Sequence, residues 1–160
     1  MSTFKIRMPD DFHLHLRQGE MLKDVAKFTK GLGRGVCMGN LNQPVITGKN
    51  LEAYAKELKA VTDLNFQPII AVMLTKKTTT EILQEAYQTG LKMVLKMIPG
   101  NTSTGSSGGV ILPQLRSYYS VLAKAEELKI PFLGHWELLA HPITGETIPE
   151  KDRETYAIPY

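Results

Sequence analysis

Residues 66–98 read FQPIIAVMLTKKTTTEILQEAYQTGLKMVLKMI, two apolar, β-prone runs on either side of a helical pattern. The flanking runs, FQPIIAVML at 66–74 and LKMVLKMI at 91–98, are apolar nearly throughout, as strands buried on both faces should be. Between them, Thr78 and Glu81 have capping-box spacing ahead of Ile82, Leu83, Ala86 and Tyr87, and Gly90 supplies a stop. Strand, helix and strand in about 30 residues make one βαβ unit, the connection that parallel strands require.

The same rhythm extends in both directions. FKIRM at 4–8 with FHLHL at 12–16, GVCM at 35–38 and IPFLGHW at 130–136 read as further strands. In NLEAYAKELKAV, residues 50–61, Leu51, Tyr54, Ala55, Leu58 and Val61 share one helical face, with Asn50 placed to cap it. Leu115, Tyr118, Leu122, Ala125 and Leu128 mark a helix over 113–129, and a weaker helix fits 21–30. The fold class is therefore α/β with a parallel sheet, either an open doubly wound sheet or a (β/α) barrel. The dinucleotide fingerprint of the open sheet is absent, because GLGRGV at 31–36 precedes a strand where the fingerprint follows one.

Composition narrows the function. At 160 residues, 42% hydrophobic and 22% charged, the chain can build one domain with a real core. Its formal charge of +3 is scattered, with no basic stripe interleaved with aromatics, so nucleic acid is not the expected partner. One cysteine, Cys37, excludes an internal disulfide and suits a reducing compartment. The start MSTFKIRMPDDF lacks an apolar signal region, and PIIAVML at 68–74 is too short to span a bilayer. A cytoplasmic location without membrane contact is the expectation.

In parallel α/β folds the site lies at the carboxyl ends of the strands. His13 and His15 fall there on the first strand, Asn40 after the second, Lys96 on the fourth and His135 on the fifth. Residues i and i+2 of a strand point to one side, so His13 and His15 can offer two imidazoles to one ion, and Arg17 can reach the same side. The plain alternative is a pair of ordinary surface or core histidines. Lys96 lies among apolar neighbours. Either its stem packs while its ammonium snorkels to water, or burial frees the amine to act as base, nucleophile or acceptor of carbon dioxide. PGNTSTGSSGG at 99–109 matches a phosphate loop poorly, since Ser106 stands where lysine belongs, and reads as a mobile lid or a solvent loop. Cys37 reads as a small core residue and His141 as a solvated one.

Taken together, PDDFHLHLRQGEML, GRGVCMGNLNQPVIT, LKMVLKMIPGNTSTGSSGGV and IPFLGHWEL resemble the bacterial-type dihydroorotases of the amidohydrolase superfamily, in order and spacing across nearly the whole chain. The resemblance implies a (β/α)8 barrel of the TIM type with a binuclear zinc site. It also implies reversible cyclisation of N-carbamoyl-L-aspartate to L-dihydroorotate in pyrimidine synthesis. Carried over by residue, His13 and His15 bind the more buried zinc, a carboxylated Lys96 bridges both ions, and His135 binds the second. Arg17 and Asn40 hold the substrate carboxylate, and Ser103 and Thr104 are the hydroxyls of a closing loop.

Three features depart from the pattern. Gly39 replaces the family's usual proline, an exchange expected to loosen the turn that aims Asn40. Trp136 replaces a glycine beside His135. About five of the eight βα units are present, so residues 1–160 read as the amino-terminal portion of a single barrel domain. The family's remaining zinc histidine, its acid/base aspartate and a substrate histidine have no counterpart, and no catalytic residue is assigned in HPITGETIPEKDRETYAIPY. A chain so built is expected to be inactive by itself and to occur as a homodimer or in assembly with a missing carboxyl-terminal half. Two rival readings are a non-catalytic half-barrel scaffold completed by a partner and a hydantoinase-like amidohydrolase.

Overall fold

The computed structural model describes residues 3–159. Five strands, β1 (Asp11–Leu14), β2 (Arg34–Cys37), β3 (Gln67–Leu74), β4 (Met93–Met97) and β5 (Phe132–Gly134), form one sheet in sequence order. Every neighbouring pair is parallel. Helices α1 (Gly19–Ala26), α2 (Gly48–Val61), α3 (Thr80–Gln88) and α4 (Tyr119–Glu127) follow β1 to β4 in turn, and a short α5 (Arg153–Ala157) follows β5. Repeated βα units with strand order equal to chain order make a barrel arc and exclude the doubly wound sheet, whose strand order reverses.

Strand parity sorts the side chains into two layers. Ile70, Val72 and Leu74 of β3 and Met93, Leu95 and Met97 of β4 join Leu51, Tyr54, Leu58 and Leu83 in the core between sheet and helices. The alternate residues Ala71 and Val94 pack with Val36, Met38, Ile69 and Leu133 on the other face. Lys96 has the parity of Val94 and pairs in register with Met73 and Leu133, so the second face is where its side chain belongs. Both faces of β3 and β4 are covered, which explains their unbroken apolar runs.

The caps differ from the sequence expectation by one turn of logic. Thr47, not Asn50, caps α2: its hydroxyl accepts from the Asn50 amide at 3.3 Å, and the Asn50 side chain accepts from the Thr47 amide at 3.2 Å. Asn50 fills the reciprocal position of a capping box, a role open to any short acceptor at that spacing. Thr79 caps α3 in place of Thr78, whose hydroxyl is buried and accepts from the Thr75 amide at 2.9 Å. Residues 4–8 form no strand, and the weak helix begins earlier, at Gly19. The expected helix over 113–129 opens as a 3₁₀ segment, Leu112–Tyr118, with Pro113 in its first turn, and becomes α-helical only from Tyr119.

At the amino-terminal ends of the strands, Asp10 ties the approach to β1 onto β2. Its carboxylate accepts from the Arg34 amide at 3.0 Å, the Arg34 Nε at 3.1 Å and Arg7 at 2.9 Å. The Arg34 guanidinium holds the Asp10 carboxyl at about 2, below its usual 3.8. A carboxyl with a depressed folded-state value stabilises fully above its unfolded value and loses that contribution as pH falls through the folded one. The Asp10 contribution should therefore vanish between about pH 4 and pH 2. Urea titrations across that window should show a shallower acid limb for Asp10→Asn than for the parent, and parallel limbs would refute the assignment.

No helix among the described residues is long and apolar enough to cross a membrane.

Candidate metal and substrate site

The carboxyl ends of β1, β4 and β5 meet at one cavity of about 450 Å³, lined by His13, Lys96, His135, Trp136 and Glu154. His13 is the third residue of β1 and His15 lies one past its end; their rings are 5.1 Å apart and inclined at 43°. His135 directly follows β5, and its backbone amide donates to the Met97 carbonyl at 2.9 Å, which sets its height against Lys96. Three of the four expected metal ligands thus line one space, and the fourth, His15, flanks His13.

Electrostatics favour the uncharged forms here. Burial, Lys96 and His135 lower the pKa of His13, while burial, Arg17, His13 and Lys96 lower that of His15. Both imidazoles are neutral near pH 7, the form that binds metal. Lys96 is only 5% exposed, and burial lowers its pKa with no opposing contribution from a carboxylate. Its stem is buried, and the side chain ends at the wall of the strand-end cavity.

His135 is held from behind. Its Nε2 contacts Glu137 Oε1, and Arg153 Nη1 lies 3.7 Å from the other carboxylate oxygen. Sequence reading passed over Glu137, although it stands two residues past His135, the spacing that singled out His13 and His15. It also passed over Glu154, the one acidic lining residue, because nothing in a loop-rich tail shows that α5 folds back to the cavity.

A second cavity of about 320 Å³ is lined by Arg17, Gln18, Met21, Leu41, Asn42 and Thr104. Arg17 has a left-handed backbone, φ 62°, which is sparsely populated for side chains of its kind and recurs at functional sites. Asn40 is 1% exposed; its Nδ2 donates to Ser103 Oγ at 3.3 Å and to the Thr104 carbonyl at 3.1 Å, while its Oδ1 has no partner. The loop expected to be a mobile lid is thus docked onto Asn40. Fully buried Ser106 pins its tip, accepting from the Ser103 amide at 3.0 Å and donating to the Ser103 carbonyl at 2.7 Å. Gly105, at φ 70°, lies flat on the Leu41 backbone where any Cβ would collide.

Two departures take on definite form. Trp136 stands over Gly134 and meets Phe132 edge to face at 6.0 Å, leaving 47% of the residue exposed at the cavity rim. Gly39 does not loosen its turn: its carbonyl accepts from Leu41 and Val45, and a Cβ there would overlap the Ala71 carbonyl. Cys37 is fully buried, and burial pushes its thiol up to about 12, so it is a core residue. His141 Nδ1 accepts from the Ile143 and Thr144 amides and organises its own loop.

Comparison with known proteins gives the site its context. No family model matches the chain. The dihydroorotase of Photorhabdus laumondii is 37% identical over 144 residues, covering 88% of this chain and 41% of that protein. That of Shewanella loihica is 34% identical over 155 residues, 96% of this chain and 43% of its relative. The chain is related to the amino-terminal part of dihydroorotases. It spans about two-fifths of the length of the curated relatives that it matches. Among solved structures, dihydroorotase from Campylobacter jejuni superposes with a TM-score of 0.75 at 28% identity, covering 92% of this chain and 41% of that one. Dihydroorotase from Saccharomyces cerevisiae, in complex with 5-fluoroorotic acid, reaches 0.86 at 24% identity over 95% and 42%, a likeness of fold. The five parallel βα units are therefore the partial TIM barrel found in dihydroorotase structures.

Among the described residues no three His, Cys, Asp or Glu side chains converge as a ready metal cage. The donor chemistry present nonetheless fits zinc: two neutral imidazoles side by side, a third backed by a carboxylate, and a buried amine without a counter-charge.

Proposed function

We propose that residues 1–160 form the amino-terminal part of one dihydroorotase barrel domain, the protein that interconverts N-carbamoyl-L-aspartate and L-dihydroorotate in pyrimidine synthesis. The observation that carries this reading is the meeting of His13, Lys96 and His135 in one strand-end cavity, in a chain 37% identical to a dihydroorotase.

His13 and His15 would together hold one zinc ion and His135 would hold a second. Lys96 would add to carbon dioxide: its neutral amine would form the new N–C bond and lose one N–H proton to solvent, and the resulting carbamate would supply anionic oxygen donors for metal. Bound zinc supplies a Lewis acid for the amide carbonyl and a water of lowered pKa. Arg17 forks onto the substrate carboxylate, a geometry a guanidinium makes in bidentate fashion. Asn40 contributes an amide donor to the same carboxylate, and since its Nδ2 now serves the loop, substrate and loop compete for it. Ser103 and Thr104 donate hydroxyls from above. No residue here is assigned the acid/base role, so catalysis requires a further segment or a partner, as a homodimer or a completed barrel.

The test is dihydroorotate hydrolysis by this chain, reconstituted with zinc and bicarbonate, with bound metal counted in the same sample. Retained zinc, lost in a His13→Ala/His15→Ala double variant, with turnover near background is the expected result. Zinc retained undiminished in the double variant would sink the ligand assignment. Brisk turnover by the chain alone would refute its dependence on a partner.

A further inference from the structure

We propose that Glu137 is a positioning residue that fixes the ring of His135 so that Nδ1 is the nitrogen presented to the strand-end cavity. The inference rests on the dihydroorotase reading for what Nδ1 would bind, and on geometry alone for how the ring is held.

His135 begins where β5 ends, and its Nε2 is engaged by Glu137 Oε1. A carboxylate accepts and does not donate, so this contact calls for a proton on Nε2, which in an uncharged ring leaves the lone pair on Nδ1. The backbone makes this contact local: the Glu137 amide donates to the His135 carbonyl at 3.1 Å, a tight turn that folds the carboxylate back over the ring two residues earlier. Glu137 is itself constrained. Its side chain is 12% exposed, and its Oε2 is buried with no hydrogen-bond partner, facing Arg153 at 3.7 Å. Arg153 is anchored in turn, its Nε donating to the Ile148 carbonyl at 3.3 Å and its own carbonyl accepting from the Leu138 amide at 3.1 Å. The segment after β5 thus closes on itself around Arg153 and holds the carboxylate at the back of His135.

A tail held by an ordinary ion pair would need none of this geometry at the imidazole. Carboxylates behind metal-binding histidines set the tautomer and ring orientation, and their removal typically weakens metal binding about 10–100-fold.

Nitrogen-15 NMR of the chain labelled at its four histidines reads the tautomer directly, with the His135 resonances assigned by their loss in His135→Gln. The expected parent spectrum has Nε2 protonated and Nδ1 bare. Glu137→Ala should give a mixture of tautomers. Glu137→Gln, whose amide oxygen still accepts, should restore the parent pattern. Zinc affinity, measured by competition with a chromogenic chelator, should fall about 10–100-fold in Glu137→Ala and much less in Glu137→Gln. A parent protein protonated at Nδ1, or an alanine variant with the parent tautomer, would overturn the proposal; the parent measurement decides even if the alanine variant fails to fold. Absence of zinc binding by a parent with the expected tautomer would overturn the metal reading of the site and leave the positioning role standing.

Discussion

Lys96→Met is expected to make the chain more stable by about 1–3 kcal/mol while removing its capacity to hold two metal ions. The stability gain follows from burial. Lys96 is 5% exposed, in register with Met73 and Leu133, and its pKa is lowered by burial without help from an anion. Taking a polar group largely out of water without giving it a hydrogen-bond partner costs up to about 1–3 kcal/mol. Methionine matches the length of the stem, carries no charge and fills irregular space. For a chain of this size the gain corresponds to roughly 2–4 °C in Tm per kcal/mol. A residue whose replacement by an apolar one stabilises the fold is kept for a reason other than folding. Urea denaturation of metal-free samples, with zinc counted after reconstitution in bicarbonate, checks both halves. A less stable methionine variant would mean that the amine already has a partner in the folded chain. Undiminished two-zinc binding would remove Lys96 from the site.

The strands that could be read from sequence were those with two buried faces. PIIAVML is apolar throughout and MVLKM is apolar but for Lys96, because β3 and β4 lie between helices and the second apolar face, so no other period competes. FKIRM has the same character but no neighbouring strand to pair with, and composition alone cannot supply hydrogen-bond partners. The cap positions were misplaced for a related reason. Thr47 and Asn50, or Thr78 and Thr79, are equally able acceptors, and which one caps is decided by where the preceding strand releases the chain. Helix identity survived these errors because Leu51, Tyr54 and Leu58 fix the buried face whatever the first residue is.

Site residues were legible where a strand end placed them. His13, Lys96 and His135 follow from parity and strand count, and one cavity contains all three. Residues that act through loops were not legible in the same way. Ser106 looked like a failed phosphate-loop lysine, yet its hydroxyl fixes the loop tip through both backbone groups of Ser103. Glu137 and Arg153 are 16 positions apart and meet only because the intervening chain turns back through Ile148. Composition favoured a flexible loop at 99–109, whereas the glycines there serve close packing, Gly105 on Leu41 and Gly109 on the Ile98 carbonyl.

Gly39→Ala is expected to cost at least about 3 kcal/mol, the upper part of the range for overpacking a rigid site. The added methyl would overlap the Ala71 carbonyl oxygen, and Val45 Cβ at 3.1 Å closes the way out. Neither neighbour can yield cheaply. Ala71 is a fully buried residue inside β3, and Val45 is tied down twice, its amide to the Gly39 carbonyl at 2.9 Å and its carbonyl to the Met73 amide at 2.8 Å. Relief must come from moving the turn after β2 away from β3, which carries Asn40 off the Ser103–Thr104 loop. The variant should therefore lose roughly 6–12 °C in Tm, and protease cleavage within 99–109 should rise with it. Gly90→Ala separates this cause from backbone strain: Gly90 has φ 72° but nothing within 4 Å of its Cβ position, so its cost should stay near 1 kcal/mol. Equal losses in the two variants would show that conformational freedom, and not the close approach to Ala71, is what glycine supplies at position 39.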